Sequence, residues 1–254
     1  MKSISLAQFN VKRPEKILYD FPISDVTDLV NRIKSKSLKS FVRKTDEILE
    51  KNSIVWKYED LTEQQFIDWL PYYQEKIEEH KYLIRATQER YQEEVKNGFR
   101  IKALFLYQKE KMIGSSIVAL KDNVASLLFK ASDRITISSM SDSSLGSAIE
   151  FLLLKLISEE DIFTLATTKS RNAFGVFNTV GYLDFRLRFG YIPRPNLDVL
   201  LDDVPVNNEG IVLFYGLQND EFALFGLQPK FQNKESFSKK SFSSSVIPFK
   251  KIYY

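Results

Sequence analysis

Apolar and polar positions alternate in blocks along this chain, and each block predicts an element. Residues 1–30 are mixed, with Pro14 and Pro22 as breakers, and predict little regular structure. Residues 31–52 read as helical. Ile54–Tyr58 reads as a short strand, and Thr62 with Gln65 three residues on forms a capping box that opens a helix. Phe66, Ile67, Trp69, Leu70, Tyr73 and Ile77 then recur at helical spacing and predict one buried face, with Pro71 bending that helix or marking its start. A second helix is expected over Ile84–Lys96, stopped by Asn97-Gly98. Three β-rich runs follow, Arg100–Tyr107, Met112–Leu120 and Val124–Ala131. The turns between them are short, which implies antiparallel hairpins.

After a Ser-rich loop, Leu145–Ser158 is apolar nearly all round. Such a helix is buried within its domain. The strand Ile162–Thr167 follows directly, so this helix predicts a crossover to a parallel partner. A helix over Phe177–Phe189 is ended by Gly190, and a last strand covers Gly210–Tyr215. The segment from Lys230 to Tyr254 is Ser- and Lys-rich and predicts a surface-wrapping or partly disordered extension.

Composition narrows the chemistry. The chain has 254 residues, enough for one large domain or two small ones, and 44% hydrophobic residues rule out wholesale disorder. Thirty-six basic and 33 acidic residues give a net charge of +3, too mild to argue for nucleic acid or membrane binding. No Cys is present, which removes disulfides, thiolate nucleophiles and Cys-based metal sites. The single His80 sits among charged residues and reads as a solvated helix-end residue, so no metal is expected. Neither a secretory signal nor a membrane-length apolar run is visible, and a soluble cytoplasmic protein is the expectation. Arg32 to Lys44 carries six basic residues and no acid; it reads as a solvated helix face or as a patch for phosphates.

The order of elements resembles the GNAT acyltransferase fold. That resemblance implies an α/β protein with a mixed, mostly antiparallel central sheet and a buried crossover helix after a phosphate-binding loop. In that fold the loop after the fourth strand cradles the pyrophosphate of an acyl-CoA, with the pattern Q/R-x-x-G-x-G/A. The equivalent run here is Ser143-Ser144-Leu145-Gly146-Ser147-Ala148. Gly146 and Ala148 match, and Ser143 departs from the pattern. The chemistry is sound on its own terms: a helix N-terminus offers unpaired N–H groups, and small residues let a phosphate approach. A plain N-cap with Ser147-x-x-Glu150 as capping box explains the same residues.

Phe185-Arg186-Leu187-Arg188-Phe189-Gly190 is similar to the F-K-x-x-F-G run of Fem-type peptidoglycan aminoacyltransferases, and Phe129-Lys130-Ala131-Ser132-Asp133 resembles their strand end. The resemblance implies a GNAT-like domain over 38–217, an N-terminal extension over 1–37 and a C-terminal extension over 218–254. It implies an N-acyltransferase that moves an acyl group from a thioester, acyl-CoA or an acyl carrier protein, to an amine of a small molecule or sugar. Aminoacyl-tRNA is the alternative donor, and a non-catalytic binding module is the alternative class.

The resemblance also implies site residues. The acyl carbonyl would lie against Leu128 to Lys130. Arg186, at the position of the Fem-type Lys, would hold a phosphate or oxyanion; a surface arginine pairing with Asp184 or Asp198 is the other reading. Asp133 is the first candidate base, and an Asx-turn is its plainer role. Lys169, Arg171 and Asn172 are candidates for substrate contact, or a solvated loop.

Overall fold

The computed structural model describes residues 2–23, 26–79, 83–140, 143–207, 210–230 and 247–254. In chain order the strands and helices are β1 (Lys2–Ser5), β2 (Val11–Pro22), α1 (Val26–Arg32), α2 (Lys36–Val42), α3 (Thr45–Lys51), β3 (Ile54–Asp60), α4 (Glu63–Glu79) and α5 (Gln88–Lys96). Then come β4 (Arg100–Gln108), β5 (Lys111–Lys121), β6 (Val124–Ser132), α6 (Leu145–Ile157), β7 (Thr164–Thr167), β8 (Ser170–Arg171) and α7 (Val180–Phe189). The chain closes with β9 (Ile192–Leu201), β10 (Asp203–Val206), β11 (Val212–Gln218), β12 (Glu221–Gln228) and β13 (Phe249–Tyr253). Contacts divide it into two units, one of residues 21–167 and one of residues 1–20 with 168–254.

In the 21–167 unit the strands run in the order β7-β6-β5-β4-β3. The β3-β4-β5-β6 ladder is antiparallel, and β7 joins β6 in parallel after α6 crosses over, as the hydrophobic pattern predicts. Both tight hairpins use residues with positive φ, Lys109-Glu110 and Asp122-Asn123, the backbone twist of a two-residue turn between right-twisted strands.

The two faces of this sheet are filled differently. On one lie α4 and α5, whose Phe66, Trp69, Tyr73 and Tyr91 pack on Ala103, Phe105, Ile117, Phe129 and Ala131. Thr62 and Gln65 cap α4 reciprocally, and Pro71 is carried inside the helix. On the other lies α6, buried on nearly every side, as its sequence predicts. Gly114 of β5 makes room for it: a Cβ there would sit 2.5 Å from Ile149 Cδ1.

The other unit holds a sheet in which β13, β12, β11 and β2 follow one another, with β8 and β9 also on β2, and a separate β1–β10 ribbon. Its core joins Leu6, Val11, Val204, Val212, Phe214, Phe225 and Ile252. Here the reading of residues 1–30 as mixed is corrected. Pro14 sits at a register shift of β2, where a missing N–H costs little, and Ile17, Tyr19 and Phe21 alternate inward. The strands β9, β10 and β12 were not expected either. Within the segment expected to wrap or be disordered, Phe249–Tyr253 forms a strand parallel to β12, and 231–246 lie outside the described residues. Among the described residues no helix is long and apolar enough to cross a membrane.

Candidate functional site

The carboxyl end of β6 is where the 21–167 unit departs from regular pairing. The β6–β7 register stops at Leu127–Thr167, yet β6 runs on to Ser132 beside β5. Across β5, Ile117 faces Phe129 and Val118 faces Leu127, so Leu128 is an extra, bulged residue. A bulge re-aims a strand and frees backbone groups from the ladder. It falls at the point where β7 ends, so the β7-side edge beyond Leu128 has no strand partner among the described residues. Leu128 and Lys130, expected beside a donor carbonyl, therefore lie on this edge.

Two polar clusters flank it. Toward α6, Lys130 Nζ donates to the Gly146 carbonyl at 2.9 Å and to Glu150 at 2.5 Å. Glu150 is 0% exposed. The expected Ser147–Glu150 capping box is thereby corrected, because a buried carboxylate is satisfied better by an ammonium than by a helix end already closed by another residue. Ser116, directly across from Lys130, is buried with no hydrogen-bond partner for its hydroxyl.

Ser144 is the residue that closes the helix. Its Oγ accepts from Ser147 N at 3.1 Å, and its carbonyl accepts from Ala148 N at 3.2 Å. Leu145 N donates to Ile135 O at 3.0 Å. Ser143 Oγ lies 2.7 Å from Ser138 O and 2.6 Å from Met140 O, so it braces its own loop. Of the residues expected to hold a phosphate, Ser147 and Ala148 thus spend their N–H groups on Ser144. Gly146 is different. A Cβ there would meet only Ser144 Oγ at 3.8 Å and Ser132 Oγ at 3.9 Å, so internal packing does not demand the glycine.

Toward α4, Asp133 lies just past β6, its N–H bonded to Ile113 O and its carboxylate 3.2 Å from Lys76 Nζ. Lys76 is buried and also bonds Glu75 and Glu79, each at 2.8 Å. Those two carboxylates, and then Asp133, raise its pKa above the ordinary lysine value. Tyr72 lies one turn before it. The buried hydroxyl there has no hydrogen-bond partner among the described residues, and burial first, then the Asp133 charge, pushes its pKa up. The sequence reading missed Tyr72 and Lys76; their four-residue spacing on α4 was the only signal.

The remaining expected residues belong to the other unit. Arg186 is 5% exposed, and its guanidinium carbon lies 4.5 Å from the Tyr191 ring centre and 5.3 Å from that of Tyr182. Tyr19, whose hydroxyl donates to Tyr215 at 3.3 Å, packs edge-on against Tyr182. The surface role weighed for Arg186 is corrected by its burial; of the two carboxylates weighed as its partners, Asp184 binds Arg188 at 3.0 Å and Asp198 binds Lys169 at 3.1 Å. Arg171 is exposed against the Phe177 ring. Asn172 is corrected from substrate contact to structural clip. It is fully buried, its amide donates to Pro14 O and Tyr215 O, and its oxygen accepts from Tyr215 N. His80 lies outside the described residues.

No family model and no curated protein sequence matches the chain. Solved structures do. The crystal structure of FemX superposes with a TM-score of 0.54 at 10% identity, covering 73% of this chain and 60% of FemX. A tandem GNAT protein from the clavulanic acid biosynthesis pathway gives 0.42 at 12% identity, over 74% of this chain and 53% of that one; a superposition this loose carries no argument. The chain thus spans about three-fifths of FemX, and the likeness is one of fold alone, an α/β architecture similar to that of FemX.

Proposed function

We propose that this chain is an N-acyltransferase, with its donor carbonyl seated on β6 between Leu128 and Lys130. One observation carries the reading: the bulged end of β6 continues past its parallel partner beside the N-terminus of α6. An edge of this kind offers fixed backbone donors to an oxyanion. The acceptor amine attacks the carbonyl carbon, a C–N bond forms, and the C–S bond of a thioester, acyl-CoA or acyl carrier protein, breaks; the thiolate takes the proton left on the new amide nitrogen and departs as the thiol. Asp133 takes the proton that the ammonium must lose, and Lys76 holds its carboxylate in place. In the other unit, Arg186 is proposed as a cation for an anionic group of substrate.

A second reading is favoured by the closed loop before α6. Because Ser144 already accepts from the Ser147 N–H, a donor that needs no pyrophosphate cradle fits as well. An aminoacyl ester, as on tRNA, is such a donor.

Thermal-shift titration with CoA, acetyl-CoA and longer acyl-CoAs, run beside a transfer assay, separates these. A donor at about a hundred times its Kd stabilises by roughly 2.7 kcal/mol. A dose-dependent shift with transfer to amines supports the thioester donor. No shift, with transfer from an aminoacyl ester, supports the second reading. Neither shift nor transfer from any donor overturns both and leaves a non-catalytic binding module. Within an active protein, Asp133→Asn is expected to lower turnover about a hundredfold or more while the fold is kept.

A further inference from the structure

The sheet of the 21–167 unit ends at β3, and no strand pairs with its outer edge among the described residues. Its sequence is Ile54-Val55-Trp56-Lys57-Tyr58-Glu59-Asp60. Val55 is 62% exposed and Trp56 39% exposed, large apolar side chains on opposite faces of one uncovered strand. A shallow groove of about 520 Å³ opens alongside, lined by Leu49, Ile54, Val55 and Trp56 with Asp46 and Glu50. Open edges of this kind template further pairing, and proteins that avoid it cover them, place charges on them or break them with Pro. This edge carries charges, Lys57, Glu59 and Asp60, but of both signs, and its backbone is regular over seven residues with no Pro.

We infer that β3 pairs with β3 of a second copy of this chain, antiparallel about a two-fold axis at Tyr58. The charges choose both the occupant and the register. A two-fold axis perpendicular to the sheet keeps each residue on its own face, so the axis must pass through a residue. Placed at Lys57, it sets two lysines against each other. At Trp56 it sets Lys57 against Val55. At Tyr58 it sets Lys57 opposite Glu59 twice, once on each side of the axis. Lys57 makes no ion pair among the described residues, and Glu59 accepts a bond only from Gln65. The edge is therefore complementary to itself, as an isologous contact requires. The resulting sheet runs continuously through both copies, and Trp56 of each comes opposite Asp60 of the other.

Sedimentation equilibrium of the full chain, with circular dichroism as the check on folding, tests this. Wild type is expected to dimerise in the micromolar range. Lys57→Glu and Glu59→Lys, taken singly, set like charges opposite each other and are expected to weaken the dimer roughly tenfold or more. The charge swap K57E/E59K restores the complementarity and is expected to recover it. A folded wild type that stays monomeric to several hundred micromolar overturns the inference. So does a dimer that is indifferent to the single reversals or is not rescued by the swap. None of these residues belongs to the proposed transfer site, so transfer activity stands or falls independently.

Discussion

In the 21–167 unit the half-buried ammonium of Lys130 is bonded to the carboxylate of Glu150, which has no exposed surface. In the other unit the buried guanidinium of Arg186 lies against the faces of Tyr191 and Tyr182, within a group of tyrosines that includes Tyr19 and Tyr215. A carboxylate answers the first cation, and aromatic faces line the second. The difference matters because a carboxylate compensates desolvation with one strong, breakable contact, whereas aromatic faces spread a weaker attraction over several side chains. The first arrangement fails when a single partner is lost. The second is insensitive to any one ring and sensitive to whatever ionises the rings themselves.

The largest expected effect therefore falls on the ion pair. Glu150→Leu leaves Lys130 without its carboxylate at the base of the bulged strand. Loss of one partner of a buried pair costs about 3–5 kcal/mol. Lys130 keeps 20% of its side chain in solvent, so the lower end is expected. The double variant Lys130→Met with Glu150→Leu removes the orphaned charge and is expected to recover most of the loss in urea unfolding. If single and double variants unfold alike, the pair is not what holds that corner together, and the contrast with Arg186 disappears.

The tyrosine cluster is tested by alkali. Burial raises the pKa of Tyr19 and of Tyr215 above the ordinary value of 10.0. A pKa raised in the fold means that the stability from keeping these phenols neutral is complete below about pH 10 and is lost as pH rises beyond it. Spectrophotometric titration is expected to show exposed tyrosines ionising first, and Tyr19 and Tyr215 only together with loss of structure. Both tryptophans, Trp56 and Trp69, lie in the 21–167 unit, so their fluorescence reports that half separately. All twelve tyrosines titrating as one class on an intact fold would remove the claim that this cluster is sealed.

How much of this was legible depends on where the information lies. The 21–167 unit is written in local pattern. Helical spacing on α4, the all-round apolar α6 and the alternating β4 to β6 each state their partner in their own residues, so the order of elements pointed to the fold. The other unit was harder to read because β2 is sequence-distant from its partners and carries Pro14, a residue that signals a break unless a register shift absorbs it. The Asn219-Asp220 hairpin turn between β11 and β12 was a legible signal that was not used. At the candidate site, Asp133 and Lys130 were found because they are close in sequence to the strand end. Lys76 and Glu150 were assigned elsewhere or overlooked because their roles are set by burial and by a partner on another element. Asn172 shows the converse error: a polar residue in a predicted loop read as a ligand contact is a backbone clip, because nothing local says that β2 and β11 close over it.

The smallest effect sets two helix starts side by side and bears on the donor. Ser144 caps α6 through its side chain, whereas Thr179 at the start of α7 makes no such bond. Ser144→Ala is expected to cost about 1 kcal/mol and Thr179→Ala close to nothing. The same substitution removes one of the two Ser144 acceptors of the Ser147 N–H and leaves the carbonyl at 3.0 Å, so an anion competes for that N–H against one acceptor fewer. If a phosphate-bearing donor seats at this helix, acyl-CoA must raise the melting temperature of Ser144→Ala by more than it raises that of wild type, because part of the lost cap is replaced by the ligand. Equal shifts in the two proteins would place the phosphate elsewhere. No shift in either would leave the closed loop as it stands, a finished helix start, and would turn attention to a donor that carries its acyl group to β6 without using α6 at all.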